Sequence, residues 1–255
     1  MSAAANPVRL PDYAVEQLRA VCRDAWLLGL LCGCNGNVSL LLPAAAVASS
    51  PTEAAPVLCG AKTPEGKEPG AKISDADEAA ASGAAPRPVA APGGRICITR
   101  SGAAKGRLTA ADCCLMDAGT GGVLLGGPPS SESAMHLAVY AARPRCRAIV
   151  HVHPRHLLAL SLRCPPEAML RLPLFEADVW RARLGFAPAL PPGGAELAQA
   201  VGRAAAERPA VWMATNSTQA VLEQRVAALE GGTGALALAE ELEHLAAVQL
   251  LTLDK

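Results

Sequence analysis

The stretch RAIVHVHPRHLLALSL, residues 147–162, decides the fold and carries three of the chain's five histidines. Its first seven residues are β-branched and apolar enough for a buried strand, and Pro154 is suited to start the helix that follows. His151 and His153 are two positions apart, so on a strand their side chains leave the same face, with Cα atoms about 6.5–7 Å apart. Two imidazoles placed in this way can bind one metal ion; the alternative is a pair of satisfied core or cleft histidines.

A helix is predicted directly upstream, in PPSSESAMHLAVYAARP (residues 128–144), with Ser130 or Ser131 as its N-cap. Glu132 falls in the first turn, where the positive end of the helix dipole alone explains a carboxylate. The functional alternative is that Glu132 faces the same pocket as the histidine pair and serves as a metal ligand or general base. Two polar residues follow at four-residue steps on one side of the helix, and we interpret both as packing residues: His136 and Tyr140.

Three clusters of small residues are candidates for binding an anion, because exposed backbone N–H groups and short hydroxyls are what a phosphate requires. They are Gly36 with Asn37, Ser101 with Gly102, and Ser130 with Ser131. Each cluster taken alone is typical of an ordinary turn.

Helices alternate with strands along the rest of the chain, which predicts one layered α/β domain over residues 1–255. Further helices are expected at residues 12–31, with Asp12 as N-cap, and near 195–207 and 236–251, and a short helical turn is expected where Thr109 precedes Asp112. Buried strands are expected after the Gly/Asn-rich turn in residues 33–42, and at 95–99 and 210–214. Residues 43–94 carry too little large apolar surface to offset the entropy of ordering them, so we expect a mobile insertion.

Composition and charge exclude several classes of protein. The 23 Lys and Arg residues are balanced by 23 Asp and Glu residues, which leaves no excess positive charge for a nucleic acid or an anionic membrane. Nine scattered cysteines without a CxxC pair indicate neither a disulfide framework nor a zinc ribbon. No secretory signal or membrane-length apolar stretch is visible, so we expect a soluble, cytoplasmic protein.

Together these motifs resemble the class II aldolase/adducin family. The resemblance rests on GNVS at residues 36–39, ITRSG at 98–102, PSSE at 129–132, and the run from 136 to 161. It implies a three-layer α/β/α sandwich with a mixed, largely antiparallel central sheet, commonly assembled as a homotetramer. The family includes fuculose-phosphate aldolases, related dehydratases and decarboxylases, and the adducin head domain.

The resemblance also implies roles for individual residues. In the sugar-phosphate aldolases, zinc held by three histidines polarises the substrate carbonyl and stabilises an enediolate. Carried onto this chain, His151 and His153 are metal ligands and Glu132 is a ligand or catalytic base. The phosphate loops correspond to Gly36, Asn37, Ser101, Gly102, Ser130 and Ser131.

The chain departs from the family pattern at two functional positions. Asn216 stands where the third histidine is expected, and an amide oxygen is a poorer zinc ligand than imidazole; His156 is a possible substitute. No tyrosine follows the histidine pair, so the usual proton donor has no obvious occupant. The sequence therefore predicts a metal-dependent carbon–carbon lyase acting on a small phosphorylated sugar or hydroxy-ketone. A decarboxylase or dehydratase on the same scaffold, or an adducin-like binding or structural module, stays open as the alternative.

Overall fold

The computed structural model describes residues 9–42, 94–214, 225–228 and 232–253 of the chain. Within these residues there are six α-helices and eight strands. The helices are Asp12–Leu27 (α1), Ser133–Ala142 (α2), Arg155–Arg163 (α3), Phe175–Arg181 (α4), Ala195–Glu207 (α5) and Gly232–Thr252 (α6). The strands are Asn37–Leu42 (β1), Arg95–Thr99 (β2), Cys113–Asp117 (β3), Val123–Leu125 (β4), Ala148–Val152 (β5), Leu184–Ala187 (β6), Ala210–Met213 (β7) and Arg225–Ala228 (β8).

All eight strands join one sheet in the order β4-β3-β2-β1-β5-β8-β7-β6. Every neighbouring pair is antiparallel except β6 and β7, which are parallel. The sheet is therefore mixed and largely antiparallel, as the sequence analysis expects.

Alternating strand residues divide the interior into two cores. Val38, Leu40 and Val150 belong to one core with apolar residues of α1, α3, α4 and α6, whereas Ile98 and Ile149 belong to a second core with α2 and α5. Because successive side chains of a strand point to opposite faces, these cores lie on the two sides of the sheet. The predicted α/β/α layering is confirmed.

Several predicted element boundaries need correction. Helix α1 begins at Asp12 with Pro11 in the N-cap position, so Asp12 is not the cap, and the helix ends at Leu27 instead of reaching residue 31. The chain turns there because Gly29 takes a left-handed conformation with φ 72°. Helix α2 starts at Ser133 with Glu132 in the N-cap position, so neither Ser130 nor Ser131 caps it.

Five elements were not predicted from the sequence pattern: β3, β4, α4, β6 and β8. Each is short, and a short element has too few residues to show a clear period. Helix α5 and the turn Ala110–Asp112 are as predicted. Strand β5 ends at Val152, one residue earlier than expected, so His153 follows the strand.

The predicted insertion at residues 43–94 lies outside the described residues except for Gly94, and the expectation of mobility stays a prediction. Asn216 also lies outside them. No helix in the part of the chain that the structure describes combines the length and apolar character that a membrane span needs.

Candidate active site

A cavity of about 100 Å³ lies where β1 begins, β2 ends and α2 begins. Most of the residues singled out in the sequence line it together: Gly36, Asn37, Ser101, Gly102, Ser130, Ser131, Glu132 and His153. Four residues that the sequence analysis did not select complete the lining: Cys34, Asn35, Arg100 and Lys105. Segments far apart in sequence therefore meet at one polar cavity.

The small-residue loops are held in place by their own backbone. Ser101 N donates to Pro128 O and Ser130 N donates to Thr99 O, each at 3.2 Å, which joins the end of β2 to the approach to α2. These two N–H groups are therefore occupied, although the sequence analysis counted on such groups for an anion. The hydroxyl of Ser101 and that of Ser131 belong to exposed residues at the cavity.

Gly36 is required where the first of these loops meets the sheet. Its φ is 69°, and a Cβ on this residue would lie 2.5 Å from the carbonyl oxygen of His151. A side chain at Gly36 would therefore push directly on the strand that carries the histidine pair.

Lys105 is a cavity residue that the sequence analysis missed. Its side chain is buried, and Nζ donates to the carbonyl oxygens of Ala103 at 2.7 Å and Cys34 at 3.1 Å. Burial lowers the pKa of this ammonium, although three donors and two carbonyls still suit a cation. A lysine in a Gly/Ala loop usually points into solvent, so the local sequence contained no signal for it.

His153 lines the cavity, and the fully buried His151 lies next to it. The rings of His151 and His153 stack with centroids 5.4 Å apart and planes at 22°. Burial, with the nearby charge of Lys105, lowers the pKa of each imidazole to about 3, so both rings are neutral near pH 7. Within the described residues, both Nε2 atoms are buried and have no hydrogen-bond partner.

Glu132 contacts the opposite edge of the His151 ring. Its Oε2 lies 2.6 Å from His151 Nδ1 and accepts a hydrogen bond from Asn37 Nδ2 at 3.0 Å. Because the His151 ring is neutral, the first contact is a hydrogen bond donated by Nδ1 to the carboxylate. Oε2 is thus directed at Nδ1 and not at the Nε2 side, which suits a base better than a metal ligand through that oxygen.

Asn37 is turned into the protein, which the sequence analysis did not anticipate. Its Oδ1 contacts His136 Nε2 and lies 3.2 Å from His151 Nδ1. Ser39 Oγ then lies 2.6 Å from His136 Nδ1 and 2.8 Å from the hydroxyl oxygen of Tyr140. His136 and Tyr140, interpreted from sequence as packing residues, are indeed buried, but they belong to a hydrogen-bonded chain that reaches the cavity.

The donors present fit part of a divalent metal site. Two neutral imidazoles with bare, buried Nε2 atoms are the nitrogen ligands that zinc prefers. Among the described residues, no group of three His, Cys, Asp or Glu side chains is arranged to hold a metal ion. His156, the possible substitute, is exposed and its Nδ1 lies 2.9 Å from Glu243 Oε1, so it is engaged elsewhere.

The chain belongs to the class II aldolase and adducin family. The sequence model described as Class II Aldolase and Adducin N-terminal domain matches residues 78–250, more than half of the chain. Two curated relatives and one solved structure illustrate what the chain is similar to within this family.

The two curated relatives are named as an aldolase and a decarboxylase. L-fuculose phosphate aldolase of Methanococcus vannielii is 33% identical over 106 residues, which cover 42% of this chain and 56% of the relative. The 3-oxo-tetronate 4-phosphate decarboxylase of Haemophilus influenzae is 42% identical over 67 residues, covering 26% and 31%. The chain thus spans about half the length, or less, of these curated relatives.

The fold has counterparts among solved structures. A sugar-phosphate aldolase from Thermotoga maritima superposes with a TM-score of 0.62 and 22% identity, covering 94% of this chain and 95% of that chain. At this identity the likeness supports the fold, and the chemistry has to be argued from the residues of the cavity.

Proposed function

We propose that this chain is a metal-dependent carbon–carbon lyase acting on a small phosphorylated sugar or hydroxy-ketone. The observation that carries the proposal is the pair of buried, bare Nε2 atoms of His153, which lines a polar cavity, and of His151, whose ring stacks on it. Such atoms are costly to leave unpaired unless a ligand satisfies them. The named aldolase and decarboxylase relatives support the reaction class.

The outer part of the cavity suits the phosphate group of such a substrate. Ser101, Gly102, Ser130 and Ser131 supply hydroxyls and small loops around it, and Lys105 supplies a fixed positive charge. A phosphate dianion held there would direct the carbon chain of the substrate toward Glu132 and the histidines.

Glu132 is the residue that we assign to proton transfer. Its carboxylate lines the cavity, and Oε2 is oriented by Asn37 and His151. A carboxylate fixed by two donors holds one position relative to a bound substrate, which is the main requirement for a general base. It would take a proton from a substrate hydroxyl as the adjacent carbon–carbon bond breaks.

His151 and His153 would hold the divalent ion through Nε2, and we propose zinc as the ion. When bound, it would polarise the substrate carbonyl and stabilise the negative charge of an enediolate. The remaining ligands would come from other donors, Asn216 among them, and one of these positions has to remain open to substrate. A homotetrameric assembly and a cytoplasmic role in carbohydrate metabolism complete the proposal and rest on the family resemblance.

Decarboxylation and dehydration place the same kind of negative charge on the substrate, so the reaction itself has to be measured. The purified chain would be offered L-fuculose 1-phosphate and a 3-oxo acid phosphate, with aldehyde release, carbon dioxide release and loss of water each measured. We expect carbon–carbon cleavage that requires divalent metal.

Metal content tests the proposal directly. We expect close to one equivalent of zinc per chain by elemental analysis after supplementation, and loss of this zinc in a His151→Ala/His153→Ala double variant. His244→Ala is the matched control, because His244 is exposed on α6. Less than about a tenth of an equivalent in the parent chain, together with no lyase activity, would refute the lyase and favour the adducin-like module.

A further inference from the structure

A buried chain of four polar side chains runs from the cavity into the second core. Asn37 and Ser39 lie two apart on β1, and His136 and Tyr140 lie four apart on α2, so each pair shares one face of its element. Ser39 and His136 are fully buried, and Tyr140 is 2% exposed. Each of these buried polar atoms would be costly without a hydrogen-bond partner. We therefore expect the order of their hydrogen bonds to matter.

The hydrogen bonds that link these four side chains have a single consistent direction, beginning at the cavity. Asn37 Nδ2 donates to Glu132, so its Oδ1 faces the two histidines and accepts. His136 therefore carries its proton on Nε2 and, as a neutral ring, accepts at Nδ1. The hydroxyl of Ser39 has to donate to that nitrogen, which leaves its oxygen to accept from the hydroxyl of Tyr140.

The reversed direction would disable the histidine pair. With its amide turned over, Asn37 would place Oδ1 against the Glu132 carboxylate, so that two acceptors would meet. Its Nδ2 would then face His151 Nδ1, which already donates to Glu132 Oε2 at 2.6 Å, so that two donors would meet. Moving the His151 proton to Nε2 would relieve this conflict, but it would break the hydrogen bond to Glu132 and occupy the lone pair that is bare in the observed arrangement.

We propose that Tyr140, Ser39 and His136 are positioning residues that act through Asn37. Together with Glu132, which accepts from His151 Nδ1, they hold the proton of His151 on Nδ1 and keep Nε2 bare for a divalent cation. The cation rests on the proposed function, whereas the position of the proton is a property of the metal-free chain. The two can therefore be tested separately.

The first readout is the tautomer of His151 in the ¹⁵N-labelled, metal-free, full-length protein, measured by NMR. Its signals are assigned by their loss in His151→Ala. We expect a protonated Nδ1 and an unprotonated Nε2 in the parent chain. Ser39→Ala removes the link between Tyr140 and His136, and because Glu132 still accepts from Nδ1, we expect the Nε2-protonated tautomer of His151 to appear as a minor population in this variant.

The second readout is zinc affinity, measured by competition with a chelator. Loss of an outer partner of a metal-binding histidine typically weakens binding by about 10–100-fold, and we expect a weakening of roughly tenfold in Ser39→Ala. Tyr140→Phe, which loses a single oxygen, should shift both readouts in the same direction by less. It also serves as the second variant if Ser39→Ala does not fold.

Val139→Ala is the matched control, because Val139 is fully buried on α2 and takes no part in the chain of hydrogen bonds. It should lower the melting temperature but leave the tautomer and the zinc affinity unchanged. An Nε2-protonated His151 in the parent chain, or unchanged tautomers in both Ser39→Ala and Tyr140→Phe, would overturn the inference. A parent chain that has the expected tautomer, responds to Ser39→Ala and takes up no zinc would support the positioning role and refute the lyase.

Discussion

At the scale of single residues, Lys105 illustrates how a fold changes the chemistry of a side chain. In the sequence it is a lysine in a small-residue loop, and in the structure it is buried in the wall of the cavity, with its ammonium donating to two carbonyl oxygens. A buried charge of this kind is costly unless it is hydrogen-bonded and paired with an opposite charge. We propose that the phosphate group of the substrate supplies that opposite charge.

Lys105→Met should weaken binding of inorganic phosphate about tenfold or more, because a charge-assisted contact of this kind contributes roughly 1.5–3 kcal/mol. Isothermal titration of the metal-free chain with phosphate measures the effect, and the melting temperature checks that the variant is folded. Arg107→Met, an exposed position two residues further on, removes the same charge and should have no effect. Equal phosphate affinity in the two variants would remove Lys105 from the anion site.

The roles of Asn37 and Glu132, like that of Lys105, depend on the residues that they contact in the fold. Both lie in motifs that the sequence analysis assigned to the cavity, yet their roles differ in the structure. The Asn37 amide contacts Glu132 and His151, and its predicted contact with phosphate stays a prediction. Glu132 is buried at the helix N-terminus and is directed at His151 Nδ1.

At the scale of elements, α3 depends on a residue from another helix. Pro154 precedes α3 and has no side-chain oxygen to cap it, so the first N–H groups need acceptors from elsewhere. Glu243 of α6 accepts from His156 N at 2.9 Å and 3.1 Å and from Leu157 N at 2.9 Å. This contact ties the helix that follows the histidine pair to α6.

Glu243→Ala should lower the free energy of unfolding by about 1–2 kcal/mol, the typical cost of losing a helix cap. Urea denaturation of the two proteins measures the difference. Glu240→Ala, at an exposed position one turn earlier on α6, removes the same group without touching α3 and should change stability by less than about 0.5 kcal/mol. If the two variants are equally stable, Glu243 does not act as a cap.

At the scale of the whole molecule, the two ends of the predicted insertion meet in the sheet. Leu42 and Arg95 are register partners on the antiparallel strands β1 and β2. A two-residue turn is enough to join strands in this register. The described core therefore does not require a long connection at this point.

Replacing residues 43–93 with a single Asn, so that Asn and Gly94 form a two-residue turn, should leave the fold intact. Because shortening a loop lowers its closure entropy, the variant should be at least as stable as the parent. Thermal unfolding and zinc uptake measure the outcome. A parent-length chain with residues 50–87 scrambled is the control, and failure of both proteins to fold would show that these residues belong to the core.

The sequence by itself determined the family and the parts of the fold that follow from local periodicity. The sequence predicted helix α5, the strand that carries His151 and the capped turn at Thr109, because apolar spacing and turn residues act over a few neighbouring positions. The family motifs also identified the loops that line the cavity. Short elements such as β4 and α4 lacked a period long enough to recognise.

Only the tertiary structure decided what each polar group does. The burial of Lys105 and the inward turn of Asn37 involve partners more than 60 positions away, as with Lys105 and Cys34 or Asn37 and His151. Hydrogen bonds and charges in a buried site depend on distance and direction, which a local pattern does not encode. The sequence therefore identified the residues of the site, whereas packing determines the positions of their protons and the orientations of their side chains that give them a function.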